Sequence, residues 1–256
     1  MKYLVIDVGN TNIVFAIYKD DKIEKNYRIS TLNKRTRDEY ISWLKSIIDN
    51  ENDFKDIIVG SVVPDIIEEL KLALYIFFGK NALVINEDIK VNFLCEVDNK
   101  NEVGTDRLVN ALCAWKIYKK PAIIIDFGTA TTFDVVGKEG SYLGGIISPG
   151  INLSMSALHL AAARLPRVAI TRPKKIIGKN TVEAMSSGIY WGYIGLINSL
   201  LSKIENELNY STIIIATGGL SELFVNEIRK KVIINNNLTI NGLFMAYKES
   251  RIKHDK

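Results

Sequence analysis

Apolar residues run together from Tyr3 to Ile6, stop at Asp7-Val8-Gly9, and resume in a β-branched and aromatic stretch from Ile13 to Tyr18. Asp20-Asp21 supplies a turn signal before Lys22–Ile29, so the opening segment predicts a three-stranded meander. Tyr40, Ile41, Leu44, Ile47 and Ile48 then recur at helical spacing behind polar capping candidates, which predicts a helix over Thr36–Ile48. Ile57–Val63 reads as a short apolar strand stopped by Pro64. After Pro121 the same order returns: strand Ala122–Ile125, the turn DFGTATT, strand Phe133–Val136, a turn at Lys138–Gly140 and a return strand near Tyr142–Gly145. Leu153–Ala163 and Thr181–Leu208 have helical patterning, Thr212–Ala216 is an apolar strand, and Thr217-Gly218-Gly219 opens a further helix. An apolar helix over Leu108–Tyr118 bridges the halves, and the division falls at 1–114 and 115–256. No low-complexity linker separates them, so relative motion is expected to be hinge-like.

Lys2–Asn12 (KYLVIDVGNTN) and Ala122–Thr132 (AIIIDFGTATT) each take an apolar run to Asp-x-Gly and then to small hydroxyl or amide residues. A strand that delivers a carboxylate to a tight glycine turn therefore occurs twice, about half a chain length apart. A phosphate needs several donors at close range, which backbone N–H groups supply where glycine leaves no Cβ in the way. Gly9 permits such a turn, and Asn10, Thr11 and Asn12 add side-chain donors. Asp7 repels phosphate, so its useful task is to hold magnesium or its water shell. An ordinary hairpin turn explains one such block; the repeat at Asp126 favours a pair of facing turns that grip a polyphosphate and its metal ion.

Composition narrows the classes. At 256 residues and 47% hydrophobic content the chain can bury a substantial core, as one large domain or two of about 100–150 residues. A net charge of +4 among 33 basic and 29 acidic residues argues against a nucleic-acid or membrane-surface protein. Cys95, Cys113, His159 and His254 have no zinc-ligand spacing, and free thiols are expected. No export signal or membrane-length apolar run is read, so a cytoplasmic protein is expected.

Other nucleotide fingerprints fail. Gly178-Lys179 is followed by Asn180 and has Pro173 where a P-loop needs its first glycine, and no GxGxxG follows a strand. Thr217-Gly218-Gly219 suits a helix N-terminus near a nucleotide or a plain strand-to-helix turn. Gly104-Thr105-Asp106-Arg107 opens the bridging helix: Asp106 is either an N-cap or, beside Arg107, a carboxylate base facing a substrate hydroxyl. Gly144–Gly150 (GGIISPG) ends a strand in a rigid turn fit for close backbone approach or for tight packing. His159 reads as a satisfied interface or core histidine, and Trp43, Trp115 and Trp191 as core or interface fillers.

Together the paired turns and the later Gly-Gly resemble the superfamily of acetate and sugar kinases, actin and the heat-shock chaperone ATPases. DVGNTN at 7–12, GSVVP at 60–64, EVGTDR at 102–107, DFGTATT at 126–132, GGIISPG at 144–150, a helix ending in Leu165-Pro166, and ATGG at 216–219 are similar in order and spacing to type III pantothenate kinases. The resemblance implies an α/β fold of duplicated ribonuclease H-like (actin-like ATPase) domains, each a mixed sheet flanked by helices, with the active cleft between them. It implies ATP-dependent phosphorylation of pantothenate, the first step of coenzyme A synthesis. On the family pattern Asp7, Val8, Gly9, Asn10, Thr11, Asn12, Ile13 and Val14 form the first phosphate loop, and Thr129 contacts ATP from the second. Asp106 resembles the general base, with Gly104, Thr105 and Arg107 in the same pocket and Thr181 as a further substrate contact. Asp126 resembles the ligand of a monovalent cation, potassium or ammonium, beside magnesium-ATP. The resemblance also implies a homodimer with pantothenate close to its interface.

The family shows a tyrosine and a proline where this chain has Val97 and Lys100. The missing hydroxyl removes about 1 kcal/mol of substrate binding unless another donor replaces it. Two rivals stand beside the kinase: another small-molecule kinase or phosphohydrolase of the same fold, in which Asp106 orients water, and a nucleotide-dependent regulator without catalysis.

Overall fold

A computed structural model describes residues 1–32, 34–161 and 168–254. The chain divides into two compact units, one of Met1–Phe93, Asp98–Cys113 and Asn237–Lys256, the other of Leu94–Val97 and Ala114–Asn236.

The first unit holds a five-stranded sheet of β1 (Lys2–Val8), β2 (Asn12–Lys19), β3 (Lys22–Ser30), β4 (Phe54–Ser61) and β5 (Leu83–Val84), in the order β3-β2-β1-β4-β5. β1, β2 and β3 form the expected antiparallel meander, and β4 and β5 add parallel to it. Central β1 reads as a continuous apolar run because it is covered on both faces, whereas β3, at the edge, exposes alternate residues. α1 (Arg37–Ile47) starts at a capping box in which the Thr36 side chain accepts from Glu39 N–H and the Glu39 carboxylate accepts from Thr36 N–H. α2 (Pro64–Phe78) escaped the sequence reading. Pro64 there starts a helix, since a first-turn proline has the right φ and needs no N–H partner. α3 (Thr105–Tyr118) begins three residues earlier than its apolar pattern suggests.

The second unit repeats the plan with β6 (Ala122–Phe127), β7 (Ala130–Val136), β8 (Tyr142–Pro149), β9 (Ile213–Thr217) and β10 (Val232–Ile234), in the order β10-β9-β6-β7-β8. Strand for strand this is the first sheet again, antiparallel through β6-β7-β8 and parallel from β6 to β9 and β10. Its helices are α4 (Ile151–Ala161), α5 (Thr181–Leu208) and the single turn α6 (Ser221–Phe224). α5 spans the range that its pattern predicts. The end of the helix read as Leu153–Ala163, and Leu165-Pro166 beyond it, lie outside the described residues.

Past Asn237 the chain returns to the first unit as α7 (Leu238–His254), whereas the chain pattern alone carries 115–256 through as one half. α7 packs closely because two glycines permit it. A Cβ on Gly60 of β4 would overlap the Leu243 side chain, and one on Gly242 would overlap the Val109 carbonyl of α3. Thr239 Oγ1 donates to Asn110 Oδ1 at 2.9 Å, and Tyr18 OH donates to Asn241 Oδ1 at 2.6 Å. Tyr3, Tyr18, Phe244 and Tyr247 complete the contact as an aromatic cluster.

Candidate active site

Asp7 lies one residue before the end of β1, opposite Val14 on β2 and beside Gly60 on β4. The turn that follows is closed by Gly9 N–H donating to the Asn12 carbonyl at 3.1 Å. It is braced from outside by Thr31, the residue after β3. Thr31 N–H donates to the Thr11 carbonyl at 2.9 Å, and its hydroxyl donates to the Gly9 carbonyl at 2.6 Å. Asn10 and Thr11 are exposed and Asn12 half-exposed, as ligand donors must be. Val8 and Ile13 are fully buried, so their side chains serve the core.

Asp106 sits in the first turn of α3, not at its N-cap: the helix starts at Thr105, and the Gly104 carbonyl accepts from Arg107 N–H at 3.1 Å. Gly104 leaves room for this carboxylate: an added Cβ would lie 2.6 Å from Asp106 Oδ1 and push the side chain from its place. The same oxygen accepts from Arg107 N–H at 2.8 Å. Burial raises the Asp106 pKa above the ordinary carboxylate value, and the Arg107 N–H and guanidinium oppose that shift without cancelling it. Thr105 is buried, and its hydroxyl accepts from Asn86 Nδ2 at 2.8 Å. Asn86 follows β5, and the neighbouring Ile85 N–H donates to Val59 of β4 at 2.8 Å. The start of α3 is thereby fastened at the carboxyl ends of the parallel strands, the end of the sheet that also carries Asp7. Ligands of open α/β sheets bind at that end.

In the second unit Asp126 holds the position that Asp7 holds in the first, opposite Thr132 on β7 and beside Thr217 on β9. Gly128 N–H closes the turn on the Ala130 carbonyl at 3.1 Å, and Gly150 N–H, just past β8, donates to the Thr129 carbonyl at 3.1 Å. Gly150 thus occupies the place of Thr31, and a Cβ on it would overlap the Thr129 carbonyl. The GGIISPG segment therefore makes a close backbone approach to the second turn. Gly218 has φ +90°, and an added Cβ would lie 2.7 Å from both Asp126 Oδ1 and Phe127 N. Thr217-Gly218 consequently belongs beside Asp126. The helix expected after it is only the single turn of α6. Thr129 is exposed.

Thr181 is the exposed first residue of α5, after the N-cap Asn180, whose side chain accepts from Glu183 N–H at 2.9 Å. Val97 packs near Gly144 of β8, 3.7 Å from where a Cβ would stand. His159 is half-buried on α4, and both cysteines are free. Among the described residues no three His, Cys, Asp or Glu form a metal-holding group, and no helix is long and apolar enough to cross a membrane. A single carboxylate ligand is enough for magnesium, which takes one or two carboxylates, waters and phosphate oxygens. Sequence reasoning missed Thr31 and Asn86, neither of which lies in a glycine motif. Aligning the two repeats would have exposed Thr31, since it takes the place of Gly150.

Two sheets with one shared strand order, each bearing an Asp-x-Gly turn after its central strand, define the duplicated ribonuclease H-like fold of actin-like ATPases and sugar kinases. The fold recurs in a conserved Campylobacter jejuni protein ascribed to the Baf family of transcriptional activators, with TM-score 0.64 at 21% identity over 97% of this chain and 98% of that one. It recurs in MreB 5 of Spiroplasma citri bound to AMPPNP, with TM-score 0.53 at 11% identity over 99% and 98%. At these identities the likeness concerns the fold alone. The family model of type III pantothenate kinases matches residues 3–203. A type III pantothenate kinase of Paramagnetospirillum magneticum is 47% identical over 252 residues, 96% of this chain and 97% of that protein. The chain belongs to the type III pantothenate kinase family.

Proposed function

We propose that this protein is a phosphotransferase that moves the γ-phosphoryl group of ATP to the primary hydroxyl of pantothenate, giving 4′-phosphopantothenate and ADP on the way to coenzyme A. The observation that carries the reading is Asp106: a half-buried carboxyl of raised pKa that accepts from Arg107 N–H, beside the Asn86–Thr105 hydrogen bond and within the family's own motif. Its carboxylate takes the hydroxyl proton as the oxygen–phosphorus bond forms and ADP leaves. Arg107 offers a guanidinium to the substrate anion, with Gly104, Thr105 and Thr181 as further substrate contacts. The turn residues 7–14 and Thr129 hold the phosphates through N–H, hydroxyl and amide donors. Asp7 would hold magnesium, which neutralises phosphate charge when bound, and Asp126 with the carbonyls near Gly218 would hold potassium or ammonium.

The outer face of α5 supports a homodimer. Gly188, Gly192 and Gly195 are exposed there, and a Cβ on any of them would meet nothing within 4 Å. The neighbouring α4 and β8 leave Leu153, Leu160 and Ile147 exposed, the last two at 82% and 64%. A second copy of the chain fits such a smooth apolar face. A cytoplasmic location accords with a reaction on ATP.

Incubation with ATP, magnesium, potassium and pantothenate is expected to yield 4′-phosphopantothenate by mass detection. Omitting potassium and ammonium, or changing Asp126→Asn, is expected to depress the rate. ADP formed equally fast without pantothenate would instead identify a hydrolase, and a rate indifferent to the cations would remove the Asp126 role.

A further inference from the structure

The stretch before α5 and the first turns of that helix enclose a cavity of about 490 Å³, lined by Arg172, Lys174, Lys175 and Lys179 together with Glu183 and Ser186. The backbone that presents these cations is locked. Ser187 Oγ donates to the Ile176 carbonyl, and Gly178 lies so close to α5 that an added Cβ would overlap the Ala184 amide. Glu183 accepts from Lys179 N–H at 2.9 Å, which holds one of its oxygens at the helix start, and its single negative charge offsets one of the cations. Arg172 pairs with Glu227 at 2.5 Å and lies over the Trp191 ring at 5.5 Å. That leaves Lys174, Lys175 and Lys179: among the described residues no carboxylate forms an ion pair with any of them.

Lys174, Lys175 and Lys179 are exposed residues lining one open concavity, so their like charges raise the local positive potential there. A bound polyanion neutralises that potential. The volume falls in the range of metabolite sites, roughly 300–1,000 Å³, and exceeds what a lone phosphate needs. We infer that this cavity binds a small molecule carrying two or more phosphate groups, at a site separate in its residues from the glycine turns. Lys174, Lys175 and Lys179 supply the charge, and the Ser186 hydroxyl supplies a neutral donor.

Inorganic tripolyphosphate titrated into the full chain by calorimetry is the test. The wild type is expected to take up one equivalent per chain more than the triple variant Lys174→Ala, Lys175→Ala, Lys179→Ala, with the extra uptake weakening as salt rises. Turnover of the variant at saturating substrates is expected to match the wild type. In a second measurement, tripolyphosphate slows acetylation of the three lysines by about threefold or more, while exposed Lys19 and Lys55 react as before. Superimposable isotherms, or unchanged acetylation rates, overturn the inference. Neither readout depends on pantothenate being the kinase substrate.

Discussion

With Asp106 as the proposed base, chemistry and stability pull in opposite directions at one residue. Burial disfavours its charged form, so its pKa is raised in the folded chain. A base must be deprotonated to act, so the wild-type rate is expected to rise with pH through this raised value. The Asp106→Asn variant is expected to lose roughly 10²–10⁴-fold in kcat and that dependence with it, as measured by pH profiles of turnover. The stability sign follows from linkage. Below the unfolded pKa both states hold the proton and Asp106 costs nothing. Between the unfolded and the folded pKa the unfolded state gives up the proton first, so stability falls as pH rises and the loss is complete above the folded pKa. Asp106→Asn is therefore expected to melt above the wild type at neutral pH, with the gain vanishing in acid. A melting point below the wild type at neutral pH would mean that the Arg107 contacts outweigh burial.

At the scale of elements, each glycine turn is held by the end of the third strand of its sheet. Thr31 does this with a backbone and a hydroxyl donor, Gly150 with a backbone donor alone. Thr31→Val keeps the size and removes the hydroxyl, worth about 1 kcal/mol and hence about fivefold. That loss is expected in KM for ATP with kcat little changed, and Thr31→Ser is expected to restore it. An unchanged KM would show that the turn holds its shape without this bond. The two halves of the motif set were not equally readable. DVGNTN and DFGTATT are contiguous, so strand, carboxylate and turn appear within a dozen residues. The Asn86–Thr105 hydrogen bond and the Gly218–Asp126 approach join distant segments, and neither can be read from local spacing.

For the whole molecule, the repeated sheet order explains how one chain carries two similar turns, and the exposed glycine face of α5 is the surface proposed for self-association. Light scattering is expected to give twice the chain mass for the wild type. Gly192→Leu, which fills open space in the single chain, is expected to shift it towards monomer without loss of folded structure by circular dichroism. A wild-type monomer at micromolar concentration would remove the dimer. The turn that opens α2 and the whole of α7 went unread, for different reasons. Pro64 looks like a stop when it is a first-turn residue, and the contact of Gly242 with Val109 joins segments that no local pattern connects.

By itself the sequence determined the strand runs, the two Asp-x-Gly turns and their duplication, and the motif set from which the family resemblance came. These are properties of neighbouring residues: the two-residue period of a strand and the steric freedom of glycine act within a few positions. Tertiary structure alone decided that α7 packs with the first sheet, that Asn86 ties α3 to the strand ends, and that Gly218 meets Asp126. It also decided the raised pKa of Asp106, because desolvation depends on which distant segments cover a carboxyl, and no spacing along the chain records that.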